Sequence, residues 1–246
     1  MKFFKDKVNT QTSRGIFITT GMEISVELAA IAGFDWVILD LEHGLGDKSK
    51  MLSMVRCLTG TETAPLVRIP VLRDEYVKRA LDFGAAGVIC PMIKSAKEAE
   101  GLVSSMCYPP EGHRGLTASS RASGYGGDFK QYFSQANANL LTIVQIETEE
   151  ALEDIDAIAA VNEVDVLFIG HSDLSLALGV YGNFDHDKMV KAETDILAAA
   201  ARHGKTTGLL LKQEMDSTAY SDRGFTFMGM GSDLGCLRSG FKNLLS

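Results

Sequence analysis

The chain has 246 residues, of which 46% are hydrophobic and 23% charged, and its formal net charge at pH 7 is −8. This composition is that of a globular protein with a large core, and it excludes the disordered and fibrous classes. Proteins that bind nucleic acid usually carry clustered Lys and Arg, which an acidic chain of this kind lacks. We therefore expect no nucleic-acid partner, and a single domain over residues 1–246.

The first residues mix charged with apolar side chains, so they lack the apolar stretch of a secretory signal, and no apolar run reaches membrane-spanning length. These features predict a cytoplasmic protein without membrane contact. The four cysteines, at positions 57, 90, 107 and 236, have no CxxC spacing and are predicted to be reduced thiols.

Eight short apolar segments alternate with helical patterns along the chain. They are residues 15–20, 36–40, 65–69, 87–92, 140–147, 165–170, 206–211 and 225–231. Most are apolar throughout, as is typical of parallel strands that are covered on both faces. The strand-then-helix order predicts an α/β protein with right-handed crossovers, and eight such units favour a closed (β/α)₈ TIM barrel. An open doubly wound sheet is the alternative.

Capping residues mark several of the intervening helices. The segment "EISVELAAIAG" ends on Gly33, and further helices are predicted to begin at the capping residues Asp74, Ser95 and Thr148. Asp47 is expected to cap the segment after the second strand.

Residues 108–139 form an unusually long connection between a helix and a strand. Connections of this length are often functional. Its aromatic residues and its arginines, Arg114 and Arg121, favour an ordered loop on the substrate side or at a subunit contact. A surface insertion is the alternative.

Polar residues collect where the strands end. The second strand runs into Asp40, Glu42 and His43, the third into Arg68, the fifth into Gln145 and Glu147, and the sixth into His171 and Asp173. Barrel enzymes place their chemistry at these carboxyl ends, and the opposite strand ends carry no such collection. The asymmetry predicts an enzyme.

Glu147 and Asp173 follow adjacent strands, where two carboxylates could share Mg²⁺ or Mn²⁺ with water and substrate oxygens. Alternatively, each acid caps the helix that follows it. The turn "GHSDLSLALG" leads into a helix whose first amides could bind a substrate carboxylate.

His43 should lie at the barrel mouth, where its imidazole can act as a general base. Asp40 or Glu42 could orient the ring, although a structural hydrogen-bonded histidine is the alternative. Arg68 lies inside an apolar run and should meet a carboxylate of the protein or of a substrate, because guanidinium keeps its charge.

Several stretches resemble the HpcH/HpaI aldolases, which are metal-dependent 2-oxo acid aldolases. They run from residue 14 to about 180 and include "AAIAGFDWVILDLEHG", "PLVRIP", "GAAGVICPMIKSAKEAE", "YPPEGHRG", "SRASGYG", "VQIETEEALEDIDAIAAV" and "FIGHSDLSLALG", whereas the last third fits more loosely. The resemblance implies a barrel enzyme that cleaves a 4-hydroxy-2-oxo acid to pyruvate and an aldehyde, and that runs the reverse aldol addition, in aromatic or sugar-acid catabolism.

The resemblance also implies residue roles. His43 is the base, and Arg68 holds the pyruvyl oxygens. From its position beside His43, we count Asp40 with them as a catalytic candidate. Glu147 and Asp173 bind Mg²⁺, Mn²⁺ or Co²⁺ with Gln145 beside them, and the amides of Ser172 and Asp173 hold the pyruvate carboxylate. The family further implies a hexamer, a trimer of dimers that exchange the C-terminal helix. His171 stands where the family usually has proline, which puts substrate preference in question.

Three other functions stay open. A Schiff-base aldolase would use Lys212 or Lys94, both of which follow strands. A related lyase would act on an acyl-CoA ester, although no basic patch for its nucleotide is evident. A non-catalytic barrel would bind a carboxylic acid without turning it over.

Overall fold

Eight parallel strands form a closed barrel in sequence order in the structure, a computed structural model that describes residues 2–212 and 215–245. The strands are β1 (Ser13–Ile18), β2 (Trp36–Asp40), β3 (Ala64–Arg68), β4 (Gly87–Cys90), β5 (Leu141–Ile146), β6 (Val166–Ile169), β7 (Thr206–Leu210) and β8 (Phe227–Ser232). The predicted (β/α)₈ barrel is confirmed, and the doubly wound alternative is wrong because β8 pairs with β1.

Helices surround the barrel. They are α1 (Lys2–Thr10), α2 (Glu23–Ile31), α3 (Lys48–Cys57), α4 (Asp74–Asp82), α5 (Ala96–Met106), α6 (Phe129–Asn139), α7 (Glu149–Glu153), α8 (Ile155–Ala160), α9 (His171–Ala177), α10 (Asp187–His203), α11 (Ser217–Asp222) and α12 (Asp233–Asn243), with a 3₁₀ helix at Arg121–Gly126. No helix in the described part of the chain combines the length and apolar character that crossing a bilayer requires. All four cysteines are free thiols, as predicted.

Alternate residues of each strand fill the barrel. Trp36 and Ile38 of β2 point inward, and the Trp36 ring stacks on Phe227 with 4.3 Å between ring centroids. Gly15 on the neighbouring strand makes room, because a Cβ there would lie 1.9 Å from the Trp36 ring. The intervening residues pack outward against the helices, and together the two layers explain why the strand sequences are apolar throughout.

Helix α1 closes the end of the barrel where the strands begin. Phe4 and Val8 join the interior apolar cluster, and the carbonyl of Val8 accepts a hydrogen bond from Thr206 at the start of β7. The opposite end, where the strands finish, stays open for a site.

Most of the predicted caps are present. Asp47 accepts hydrogen bonds from two amides at the start of α3, Ser95 caps α5 and Thr148 caps α7. Gly33 follows α2 with a φ of 84°, the left-handed conformation that favours glycine after a helix.

The capping role predicted for Asp74 is wrong. The N-cap position of α4 belongs to Arg73, whose side chain makes no capping bond. Asp74 is the first helical residue, and its carboxylate instead accepts hydrogen bonds from Ser105 at 2.6 Å and His113 at 3.0 Å. It therefore ties α4 to α5 and to the loop that follows α5.

Residues 108–139 are ordered, as predicted, and contain the 3₁₀ helix and α6. Arg121 donates to the carbonyl of Phe83, directly after α4, at 2.9 Å and to Thr59, shortly after α3, at 2.8 Å. Helices of this barrel end where the next strand begins, so Arg121 lies at the end opposite to the strand carboxyl termini, whereas His113 reaches Asp74 at the start of α4. A position on the substrate side and a subunit contact both stay predictions.

Candidate active site

A cavity of about 570 Å³ opens at the carboxyl ends of the strands. Seven of its lining residues were singled out in the sequence, namely His43, Arg68, Gln145, His171, Ser172, Asp173 and Lys212. The carboxylates of Asp40 and Glu147 lie buried directly behind this lining, in contact with Arg68 and Gln145 respectively. The structure thus brings the predicted site residues together at one end of the barrel.

Arg68 is held by a buried carboxylate. Asp40 and Arg68 are register partners on β2 and β3, so their side chains point to the same inner face. The guanidinium donates to both carboxylate oxygens of Asp40, from Nε at 2.9 Å and from Nη2 at 2.7 Å. Burial alone would favour a neutral Arg68, but the hydrogen bonds and charge of Asp40 outweigh it and raise the pKa of Arg68. Arg68 is a fixed cation in the cavity wall.

Asp40 does not orient the His43 ring. Its Oδ1 accepts from the backbone amides of Glu42 and His43, each at 3.1 Å, and thereby shapes the turn after β2. Of the two acids considered for this role, only Glu42 lies near the ring, with Oε1 3.8 Å from Nε2 of His43. The imidazole is 66% exposed and reaches into the cavity mouth.

Glu42 completes a second ion pair with the arginine. Its Oε2 lies 3.1 Å from Nη1 of Arg68. Burial raises the pKa of Glu42, and the charges of Arg68 and His43 act against that rise. Two carboxylates and one guanidinium therefore form a connected group beside His43.

Glu147 sits in a close-fitting cradle. Its Oε1 accepts from the backbone amide of Met92 at 2.7 Å, and its Oε2 contacts the side-chain amide of Gln145. Gly170 gives the carboxylate room, because a Cβ there would lie 2.2 Å from Oε2 and 2.8 Å from the Glu147 Cβ. Neither predicted ligand is an N-cap, because Thr148 caps α7 and Gly170 occupies the N-cap position of α9. Asp173 does lie in the first turn of α9, where an acid favours the helix dipole.

The donor set suits a hard divalent cation. Burial raises the pKa of Glu147 and the nearby charge of Asp173 raises it further, so these two carboxylates repel each other as they stand. Oε1 of Gln145 is buried and has no hydrogen-bond partner among the described residues. Two carboxylates and a free amide oxygen match the oxygen ligands that Mg²⁺ and Mn²⁺ prefer.

The protein ligands alone do not enclose an ion. Within the described residues, no three His, Cys, Asp or Glu side chains are grouped closely enough to hold a metal. Mg²⁺ sites commonly use one or two carboxylates together with water and substrate oxygens. A cation here would therefore keep positions open for a substrate.

His171, which replaces the expected proline, packs toward helix α10. Its Nε2 lies 2.6 Å from Oε1 of Glu193, and Glu193 also pairs with Arg223. The ring meets Phe184 and Tyr220 edge-on, at centroid distances of 5.7 and 6.3 Å. Sequence reasoning missed this group, because its members are far apart in the chain and no motif joins them.

The two lysines considered for an imine differ in position. Lys94 is not among the residues that line the cavity, and it pairs with Glu150 at 3.2 Å. Lys212 lines the cavity, with its Nζ 3.9 Å from the centroid of the Phe184 ring.

Comparison with known proteins gives concordant matches. Residues 14–239 match the model of the family described as HpcH/HpaI aldolase/citrate lyase. A 5-keto-4-deoxy-D-glucarate aldolase of Shigella boydii is 41% identical over 234 residues, which cover 95% of this chain and 91% of that protein.

Solved structures agree with these sequence matches. The crystal structure of a HpcH/HpaI aldolase/citrate lyase family protein from Burkholderia cenocepacia is similar, with a TM-score of 0.95 and 28% identity over 100% of this chain and 98% of that one. A HpcH/HpaI aldolase from Desulfitobacterium hafniense has a TM-score of 0.89 and 28% identity, covering 98% of this chain and 94% of that chain.

Proposed function

We propose residue roles and a substrate class for this chain, which belongs to the HpcH/HpaI aldolase/citrate lyase family. The family predicted from the sequence is confirmed, and with it the assignment as an aldolase, a carbon–carbon lyase. The detailed proposal is a divalent-metal-dependent enzyme that cleaves a 4-hydroxy-2-oxo acid into pyruvate and an aldehyde, and that also catalyses the reverse addition.

The substrate named for the 41%-identical relative fits this description. Counted from its oxo end, 5-keto-4-deoxy-D-glucarate is a 2-oxo acid with a CH₂ at the third carbon and a hydroxyl at the fourth. Breaking the bond between the third and fourth carbons releases pyruvate and a three-carbon aldehyde that carries the second carboxylate, tartronate semialdehyde. We propose sugar-acid derivatives of this kind as the substrate class.

Each residue of the site has its own proposed role. Glu147 and Asp173, with Gln145 beside them, would hold Mg²⁺, Mn²⁺ or Co²⁺, which when bound polarises the ketone. The amides of Ser172 and Asp173 receive the 2-oxo acid carboxylate at the start of α9. Arg68 stabilises the negative charge that develops on the ketone oxygen.

His43 takes the proton from the hydroxyl on the fourth carbon, through a water molecule. As that oxygen becomes a carbonyl, the bond between the third and fourth carbons breaks and its electron pair passes into the enolate of pyruvate. Protonation of the third carbon then completes pyruvate. The exposed ring at the cavity mouth suits this role, because it can exchange the proton with solvent between turnovers.

One observation carries this proposal: a buried Glu147 beside Asp173 lies at the same barrel end as a fixed Arg68 and an exposed His43. The first test is removal of metal with EDTA, which we expect to abolish condensation of pyruvate with an aldehyde until Mg²⁺, Mn²⁺ or Co²⁺ is restored. Comparing the three ions identifies the preferred metal. Full activity in the metal-free protein would refute the mechanism.

His43→Ala should lower kcat by about 10²- to 10⁴-fold while pyruvate and metal still bind. The matched control is His113→Ala, since His113 is a surface histidine on the other side of the helix layer, paired with Asp74 and Ser104. A non-catalytic binding barrel predicts no turnover in any variant. Borohydride with pyruvate tests the Schiff-base alternative, which predicts a covalent adduct at Lys212.

We also propose that the chain is a cytoplasmic homo-oligomer, a hexamer built from dimers. Five large apolar side chains on or directly after α12 are exposed, namely Leu234, Leu237, Phe241, Leu244 and Leu245. An apolar helix face of this kind is typical of a subunit contact. Sedimentation velocity should give the mass of six chains, and Leu237→Glu should reduce it.

A further inference from the structure

We propose that Lys212 recognises the second carboxylate of the substrate, the one that leaves with the aldehyde. The inference rests on the proposed function and adds the residue that selects a dicarboxylic substrate. It is carried by the strand register, by the charges in the cavity and by the packing of the Lys212 side chain.

The register of β7 directs Lys212 into the barrel. Leu209 and Leu211 belong to the outer apolar layer, whereas Leu210 packs against the inner cluster. Because side chains alternate along extended backbone, residue 212 follows Leu210 on the inner face, two residues beyond the end of β7. Lys212 accordingly lines the cavity together with Asp173 and Arg68.

Lys212 and Arg68 are the two Lys or Arg residues among the described residues that line this cavity, and they are engaged differently. Arg68 is bound to the carboxylates of Asp40 and Glu42. Within residues 2–212 and 215–245, Lys212 has no ion pair, and its ammonium lies on the face of the Phe184 ring at 3.9 Å. A cation–π contact neutralises none of the charge, so the ammonium N–H groups remain available to an anion.

The Phe184 ring beneath the Lys212 ammonium is itself held in place by its neighbours. The rings of His171 and Phe184 pack at nearly a right angle, and Glu193 holds Nε2 of His171. The ammonium is therefore held in place before a ligand binds, which reduces the entropic cost of recognition. His171, the departure from the family pattern, and Lys212 belong to the same wall of the cavity.

The test compares two aldehydes that differ only at the recognised group. Tartronate semialdehyde and glyceraldehyde share the CHOH–CHO unit. The first ends in a carboxylate and the second in a CH₂OH group. With metal-loaded enzyme and pyruvate, we expect Lys212→Met to lower the ratio of kcat/KM for the first over the second by about 10- to 100-fold, the effect of losing one charge-assisted hydrogen bond. Lys212→Arg should retain most of the ratio.

A control variant, a proton-exchange measurement and a folding check accompany the ratio. Lys191→Met removes the same charge from the exposed face of α10, where Lys191 pairs with Asp195, and should leave the ratio unchanged. Exchange of the pyruvate methyl protons in D₂O, followed by NMR, reports on the pyruvyl half of the site without any aldehyde. Circular dichroism and Tm establish that each variant is folded, and Lys212→Gln replaces the Met variant if that one does not fold.

Each other outcome overturns the proposal in an identifiable way. An unchanged ratio in Lys212→Met means that the lysine does not contact the aldehyde carboxylate. An equal loss with both aldehydes, together with loss of proton exchange, means that Lys212 serves the pyruvyl half, as a carboxylate anchor or an imine-forming amine, and leaves the aldolase function standing. Absence of both exchange and condensation in the unmodified protein overturns the proposed function and this proposal with it.

Discussion

Gly170→Ala should disable the candidate metal site while leaving the barrel folded. The backbone at Gly170 has φ −84° and ψ 77°, close to the common inverse γ-turn conformation that alanine can adopt, so the substitution acts through contact and not through backbone strain. The new Cβ would lie 2.2 Å from Oε2 and 2.8 Å from Cβ of Glu147, whereas ordinary contacts begin at 3.4 Å. Rotating the carboxylate away relieves only the first clash.

The required displacement of Glu147 is about 1 Å, and misplacement on this scale lowers catalysis by roughly 10²-fold, about 2.7 kcal/mol. Overpacking of the core should lower the free energy of unfolding by about 1–3 kcal/mol. We expect Mn²⁺ affinity to fall by about 10- to 100-fold, since the carboxylate can no longer face Asp173 correctly.

Mn²⁺ binding measured by EPR, kcat/KM for pyruvate formation and urea unfolding test these values together. The matched control is Gly101→Ala in α5, where the nearest atom to the new Cβ lies 3.8 Å away, and it should leave binding and activity unchanged. Wild-type Mn²⁺ affinity and turnover in Gly170→Ala would refute the assignment of Glu147 as a metal ligand in this cradle.

Two further predictions concern buried ion pairs. Asp40→Asn removes the charge that faces Arg68 and should lower the free energy of unfolding, measured in urea, by about 3 kcal/mol. The loss should be no larger because Glu42 still compensates the guanidinium in part. An unchanged midpoint of urea unfolding would contradict the importance of the pair. Burial tends to raise the pKa of Glu193, but its bonds to His171 and Arg223 outweigh burial and lower it. A carboxyl whose pKa is lowered by folding stabilises the fold at any pH above its unfolded pKa of 4.5. That stabilisation is lost as the pH falls through the lower pKa of the folded state. Glu193→Gln should therefore be less stable at neutral pH and lose less stability on acidification, as Tm measured against pH would show; parallel Tm curves would contradict it.

The barrel was predictable because its signals are local. Each strand is an apolar run whose length and flanks are visible in the sequence, and Ser95, Thr148 and Asp47 cap helices through atoms only two or three residues away. Asp74 misled the prediction, because an acid at a helix start is indistinguishable in sequence from one that bonds a distant serine and histidine.

The rim residues were also predictable, since parallel strands of a barrel all finish at one end. The sequence could therefore place four residues together without showing which of their side chains touch, namely His43, Arg68, Glu147 and Asp173. Their common location depends only on the order of strands and helices.

The partners of these residues required the tertiary structure. Asp40 meets Arg68 because β2 and β3 pair at that register, and the same pairing turns its carboxylate away from the His43 ring. His171 meets Glu193 because α10 packs against β6, which ends just before His171, although the two residues are 22 positions apart.

The sequence by itself determined the barrel, the end that carries the chemistry and the family. Only the tertiary structure placed Arg121 at the opposite end and turned Lys212 into the cavity. The physical reason is that local patterns specify which face of a strand or helix is buried, whereas the contact between two side chains depends on register and packing between elements that are distant in the chain.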